Sequence, residues 1–272
     1  MNKRRRFFFS REAKKTLEDG VPEPRLEDGA DEKPGRLVFA ARTDVGCVRL
    51  NNQDALIECG ALLGVADGMG GHKGGEVASD ETRQALIASA EGKTPSEDAL
   101  REAVLTANKK VYDHSVEEQS LSGMGTTCTL AWFGEKEVYL AQVGDSRCYL
   151  LRGGELRQVT QDHSMVAELV RSGMLTEEDA ARHPMRNIIT RAVGTDEELE
   201  VDTLTLPRRR GDRWLLCSDG LYGMLTPQEL KKLLQEEKDA DACADRLMES
   251  ALEAGGRDNV SLIVADDREV SE

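Results

Sequence analysis

The chain has no CxxC pair, no long apolar run and no surplus of positive charge, and each absence closes off a class of function. Its six cysteines, Cys47, Cys59, Cys128, Cys148, Cys217 and Cys243, are scattered, several of them inside apolar runs such as WLLCSD. Cysteine in that setting behaves as a small core residue, which argues against a zinc site or a disulfide framework. No apolar stretch approaches the roughly 20 residues that a membrane span needs. The opening MNKRRRFFFSREAKK is basic but holds only three consecutive Phe, too few for a secretory apolar segment. A cytoplasmic setting is therefore expected. Basic side chains number 36 against 51 acidic ones, a formal net charge of -15. Nucleic acid demands the opposite balance and is not the expected partner. An acidic protein that handles phosphate has to recruit cations locally, as metal ions or as a few aimed arginines.

What is present divides the chain into unequal parts. Residues 1–36 are basic up to Lys15, then acidic from Glu18 to Glu32, with Pro22, Pro24 and Pro34. So few apolar residues cannot offset the entropy of ordering, which predicts a flexible charged tail. It reads as a solvated extension; Arg4, Arg5 and Arg6 beside Phe7, Phe8 and Phe9 also suit weak docking to anionic lipid or a partner. Thr16-Leu17-Glu18-Asp19 has an acidic residue three after a Thr, a pattern that suits phosphothreonine-binding modules but also arises by chance in an acidic tail. A folded domain is expected over 37–267, with a short tail at 268–272. Within it, LVFAAR, ALLGVAD, TCTLAWF, EVYLAQVGDSRCYLL, ELRQVT, VDTLTL, RWLLCSDG and SLIVADD read as strands. Apolar residues at helical spacing over 75–90, 96–116, 226–237 and 240–254 read as helices. Helices come in adjacent pairs and strands in adjacent runs, which is not the alternation of a parallel doubly wound sheet. The order predicts an α+β fold, a four-layer αββα sandwich of two antiparallel sheets flanked by helix pairs.

Four acidic clusters recur in one expected context, a hydrophobic strand that ends in Asp followed by Gly, Ser or Asn: GVADG at Asp67, VGDSR at Asp145, LCSDG at Asp219, and Asp258-Asn259 before SLIVA. A carboxylate there is held on a rigid element at a sheet rim, and a following Gly lets the backbone approach a ligand. Any one of them alone reads as an ordinary turn. Four together, converging, would repel one another unless cations lay between them, and oxygen ligands without His or Cys suit Mg²⁺ or Mn²⁺. A further segment, TDVGCVRLNNQD, puts Arg49 shortly before Gln53 and Asp54. It reads either as a solvated loop or as a guanidinium fork for a phosphate beside another carboxylate.

Taken in order, TDVG...R...NQD, VADGMGGHKGGEVAS, GTT at 125–127, VGDSR, CSDGL and DNVSLIVA resemble the PPM family, the metal-dependent (type 2C) protein serine/threonine phosphatases, in their compact bacterial form. QDHSMVAELVRSGMLTEEDA and HPMRNIITRAVG are similar to that family's flap region. The resemblance implies the αββα sandwich with a dimetal site in the cleft between sheets. It implies that Asp67 bridges two Mn²⁺ or Mg²⁺ ions, with the Gly68 carbonyl on one and Asp219 and Asp258 on the other. Asp145, with Asp219, matches the place of a third, weaker ion. Asp54 would hold metal-bound water, and Arg49 would bind the substrate phosphate. A hydroxide bridging two ions about 3.5–4 Å apart would then attack phosphoserine or phosphothreonine directly, with no phosphoenzyme. The implied partners are phosphorylated proteins, among them a serine/threonine kinase and its substrates, and the chain is expected to act as a monomer.

Two positions depart from the family pattern. Met69 stands where many eukaryotic relatives have a His proposed as general acid, so a metal-bound water is expected to protonate the leaving group, with His72 a structural loop residue. Gln53 stands where many relatives carry Glu. His163 and His183, which bracket the flap-like insert, read as caps or packing contacts, and Trp132 and Trp214 as core. Competing readings remain. DGMGGHKGGE could cradle a nucleotide phosphate, although it misses both GxGxxG and GxxxxGK[ST]. Another metal phosphohydrolase is open too, as is a pseudophosphatase, which would need a missing ligand that this chain does not show.

Overall fold

The computed structural model describes residues 35–69 and 74–268. The basic run at Arg4–Arg6, the Thr16–Asp19 stretch, His72 and all of the expected 268–272 tail except Arg268, the last residue of a strand, lie outside the described residues.

Eleven strands among the described residues form two sheets with only antiparallel pairings. One sheet runs in the order β1 (Arg36–Asp44), β11 (Val260–Arg268), β10 (Arg213–Cys217), β7 (Arg147–Arg152), β8 (Glu155–Gln158). The other runs β2 (Asp54–Cys59), β3 (Leu62–Met69), β5 (Cys128–Phe133), β6 (Glu137–Val143), β9 (Asp202–Pro207), with the short β4 (Gly125–Thr126) also on β3. β1 and β11 pair along their whole length, from Arg36 opposite Arg268 to Asp44 opposite Val260.

The central strands β3, β5, β10 and β11 read as largely apolar runs because both of their faces are buried. In β10, Trp214 and Leu216 point between the sheets, while Leu215 and Cys217 point to the helices behind. In β3, Leu63 and Val65 face the other sheet, and Leu62 and Ala66 face α1 (Gly74–Ala90) and α2 (Glu97–Glu117). α6 (Pro227–Glu236) and α7 (Ala240–Glu253) cover the first sheet through Leu230, Leu234, Cys243 and Leu247. The result is helix pair, sheet, sheet, helix pair. Trp214 meets Phe133 edge-to-face across the middle layer, ring centroids 5.8 Å apart. Burying an aromatic or aliphatic side chain of this kind stabilises by about 1.5–3 kcal/mol.

Local signals stop and start the elements as expected. Thr226 and Glu229 form a reciprocal capping box with Pro227 in the first turn of α6. Ser96 caps α2 by accepting from Ala99 N at 3.1 Å. Beyond α7, Gly255 and Gly256 take positive φ values of 122° and 46° that end the helix.

Three expectations need correction. Residues 54–59, absent from the expected strands, form β2. The run 137–151 is two strands, broken at Gly144–Ser146, where the chain crosses from one sheet to the other. The aspartates do not all end strands: Asp67 lies inside β3, Asp219 opens a one-turn helix, α5 (Asp219–Tyr222), and Asp258 precedes β11. The flap-like insert holds two short helices, α3 (Met165–Arg171) and α4 (Glu177–Ala181). The cysteines are free, and Cys217 is fully buried, its thiol pushed up by burial, as a core residue should be.

Candidate functional site

The topology gathers the acidic residues at one rim of the sandwich, where β11 lies against β2 and β3. Asp54 and Asp67 sit directly opposite one another on β2 and β3. Asp219 and Asp258 come from the other sheet, after β10 and before β11. Asp145 stands at the corner between β6 and β7 that links the two sheets. Gly68 allows a close crossing beside Asp67: a Cβ there would fall 2.1 Å from the Gly75 carbonyl oxygen at the start of α1.

Polar groups from distant segments hold several of these residues, Asp54 through its carboxylate and Asp67 and Asp145 through backbone atoms. Ser218 Oγ donates to Asp54 Oδ2 at 2.8 Å and accepts from Ser261 N at 3.0 Å. Asp54 Oδ1 is sealed from solvent and has no hydrogen-bond partner among the described residues. Thr127 grips Asp67 through both backbone atoms: its Oγ1 accepts from Asp67 N at 2.9 Å, and its N donates to Asp67 O at 2.8 Å. The same Thr127 hydroxyl lies 2.7 Å from the Ser146 hydroxyl, next to Asp145. Arg147 pairs with Asp162 at 2.7 Å and stacks 3.7 Å over the Tyr222 ring. Tyr222 Oη donates to Asp145 O at 3.0 Å.

Buried Asn259 fastens the Arg49 loop to this rim. Its Nδ2 donates to Val45 O and Asn51 O, both at 2.9 Å, and its Oδ1 accepts from Gln53 N at 2.8 Å. Arg49 Nη2 donates to Asp258 Oδ2 at 2.7 Å, and Asn259 N donates to Asp258 Oδ1 at 2.9 Å. All seven residues singled out in the sequence, Arg49, Asp54, Asp67, Gly68, Asp145, Asp219 and Asp258, thus fall in one neighbourhood. Ser218, Thr127, Ser146, Ser261 and Asn259, which support them, went unassigned. They stand beside or within the acidic motifs, but what they bond to lies far along the chain.

The electrostatics show strain between like charges. Loss of hydration pushes the Asp67 carboxyl well above the usual carboxylate range, and the charges of Asp54, Asp219, Asp145 and Asp258 push it further. Asp54 and Asp219 are raised by burial first and by neighbouring aspartates second. Burial, then Asp219, pushes Asp145 up to about 7. Arg49 and Arg147 offset only part of this at Asp219. Among the described residues no three His, Cys, Asp or Glu side chains are close enough as placed to hold one ion. The group still fits a divalent cation: an all-oxygen donor set, carboxylates that resist ionising beside one another, and a buried Asp54 oxygen without a donor.

The described histidines are engaged elsewhere. His163 is buried, with Nδ1 accepting from Gly144 N at 3.1 Å and Nε2 3.0 Å from Asp202 Oδ2. His183 Nδ1 accepts from Met185 N at 3.2 Å within the insert. Both are structural contacts. Met69 pairs through its backbone with Gly125 of β4.

Residues 48–260 match the family described as Protein phosphatase 2C. The serine/threonine protein phosphatase PstP of Mycobacterium tuberculosis is 44% identical over 233 residues, covering 85% of this chain and 45% of that protein. The chain therefore spans less than half of the length of that relative. The serine/threonine phosphatase stp of Listeria monocytogenes is 39% identical over 237 residues, covering 83% of this chain and 94% of that one. The crystal structure of the catalytic domain of PstP in complex with two manganese ions superposes with a TM-score of 0.80 at 40% identity, covering 86% of this chain and 99% of that one.

Proposed function

The chain belongs to the protein phosphatase 2C family, and on that footing we propose that it hydrolyses phosphoserine and phosphothreonine in proteins with the help of divalent metal ions. One observation carries the reading: carboxylates from both sheets converge on one rim, with Arg49 beside them. Asp67, the Gly68 carbonyl, Asp219 and Asp258 would hold two Mn²⁺ or Mg²⁺ ions, and Asp145 with Asp219 a third, weaker one. A relative that holds two manganese ions supports that count. Ions bound there supply Lewis acidity and lower the pKa of a coordinated water towards neutral.

The chain's own residues do the rest. Asp54, clamped through Oδ2 by Ser218 with Oδ1 left without a partner among the described residues, would hold metal-bound water for attack on phosphorus. Arg49 presents its guanidinium fork to two phosphoryl oxygens and offsets their charge as the bond to the leaving oxygen breaks. No described histidine is hydrogen-bonded to Asp54, Asp67, Asp145, Asp219 or Asp258, and in this reading water gives the leaving serine or threonine oxygen its proton. The same reading includes a cytoplasmic monomer that reverses the work of a serine/threonine kinase. Among the described residues no helix is long and apolar enough to cross a membrane.

The deciding experiment is release of phosphate from a phosphothreonine peptide with and without Mn²⁺. Release only with Mn²⁺, lost in Asp219→Asn, is expected. Turnover of nucleotides or small phosphoesters alone would overturn the protein-phosphatase reading.

A further inference from the structure

The loop that carries Arg49 also carries two of the most exposed large apolar side chains among the described residues. Val48 is 65% exposed and Leu50 is 97% exposed, one on each side of Arg49 in the sequence. A single exposed aliphatic residue is ordinary on a protein surface. These two, however, are held out by a pinned backbone. Cys47 N donates to Gly256 O at 2.7 Å, Gly46 N donates to Asp44 Oδ1 at 2.8 Å, and Asn259 grips Val45 and Asn51 on either side. Gly46 has a φ of +77°, and a Cβ there would lie 2.1 Å from the Asp258 carbonyl oxygen. The loop thus lies backbone to backbone on the segment that holds Asp258, and it cannot fold over to hide Val48 and Leu50 without breaking these bonds.

We propose that Val48 and Leu50 form an apolar lip that reads the substrate side chains next to the phosphorylated residue, favouring phosphopeptides with an aliphatic neighbour. The inference rests on the proposed function, because it takes Arg49 as the phosphate anchor. Distance selects which substrate positions the lip meets. The Cα atoms of Val48 and Leu50 are each about 3.8 Å from that of Arg49. An extended peptide advances about 3.3 Å per residue, so the side chains one or two positions from the phosphoresidue come within reach and distant ones do not. The occupant follows from continuity with the phosphate anchor: whatever seats a phosphate on Arg49 runs its adjoining residues over Val48 or Leu50.

The test uses the full chain with Mn²⁺ and three phosphothreonine peptides that differ only beside the phosphoresidue, carrying Leu, Ser or Lys. Rates are normalised to p-nitrophenyl phosphate, which has no peptide. The wild-type chain should favour the Leu peptide over the Ser peptide by about five- to tenfold in kcat/KM, mostly through KM. In the double variant Val48→Ser, Leu50→Ser, that preference should fall below about twofold while kcat for the Leu peptide holds. Thermal denaturation of both proteins checks that the loop's removal of apolar surface leaves the fold intact. Equal wild-type rates on the three peptides, a preference for Lys, or a Leu preference that survives in the double variant would each overturn the lip. Loss of phosphate release from every substrate, p-nitrophenyl phosphate included, would instead overturn the phosphatase reading and the lip with it.

Discussion

Arg49 and Asp258 stand 209 residues apart in the chain, yet Arg49 Nη2 donates to Asp258 Oδ2 at 2.7 Å. The other Asp258 oxygen is taken by Asn259 N, so both are engaged before any phosphate arrives. The cation that would anchor substrate is thus kept in place by a carboxylate of the proposed metal site.

Replacing that cation tests its role. Arg49→Ala is expected to lower kcat/KM for a phosphothreonine peptide on the order of 100-fold. Arg49→Lys should recover little of this, because an ammonium lacks the planar fork that meets two phosphoryl oxygens. Steady-state kinetics on the two variants and the parent chain check both statements.

Charge repulsion among the aspartates predicts an unusual stability pattern. Asp219 is raised by burial and by Asp258, so Asp219→Asn removes a repelling charge from the rim. Without metal the variant should melt higher than the parent, by a few degrees. With excess Mn²⁺ the order should reverse, because the parent gains binding energy that the variant has lost. Thermal melts with and without Mn²⁺ decide it.

The same carboxylates set a pH dependence. Asp145 is pushed up to about 7 by burial and Asp219, against an ordinary value near 3.8. Between those values the folded chain binds more protons than the unfolded one. Stability therefore falls as pH rises through this window, being greatest below the ordinary value and lost above about 7. The metal-free protein should lose melting temperature from about pH 4 to about pH 7, and Mn²⁺ should restore it most at the upper end. A melting series across pH, with and without a chelator, measures this.

Ser218 offers a quieter test. It is fully buried and holds Asp54 while accepting from Ser261 N. Ser218→Ala leaves that donor without a partner, which costs about 1–3 kcal/mol of stability. It also frees Asp54, so kcat should drop by roughly tenfold with KM nearly unchanged. Denaturant melts and steady-state rates separate the two effects.

The pattern of strands and helix pairs was legible because apolar runs with period two or period 3.6 report burial directly. Asp67, Asp145, Asp219 and Asp258 were legible because each stands within or beside such a run. β2 escaped because Asp54 and Glu58 leave only Ala55 and Ile57 as its buried alternation, and because it lies at a sheet edge where β3 is its only neighbour. The supporting hydroxyls escaped for a different reason. Ser218 and Asp54 are 164 residues apart, and no local signal tells a serine that reaches across two sheets from one that caps its own turn. Asp219, which is followed by a glycine, looks like a turn and is in fact the first residue of α5.

The full-length pairing of β1 with β11 has a practical consequence. Asp44 and Val260 sit at the acidic rim, while Arg36 and Arg268 face each other at the far end of the same two strands, about 26 Å away. An affinity handle, a fluorophore or a surface tether attached at Arg36 or Arg268 therefore leaves the sandwich at the opposite pole from substrate. Joining those two neighbours by a short loop and reopening the chain at the exposed Gly153-Gly154 turn would give a circular permutant with the aspartates undisturbed.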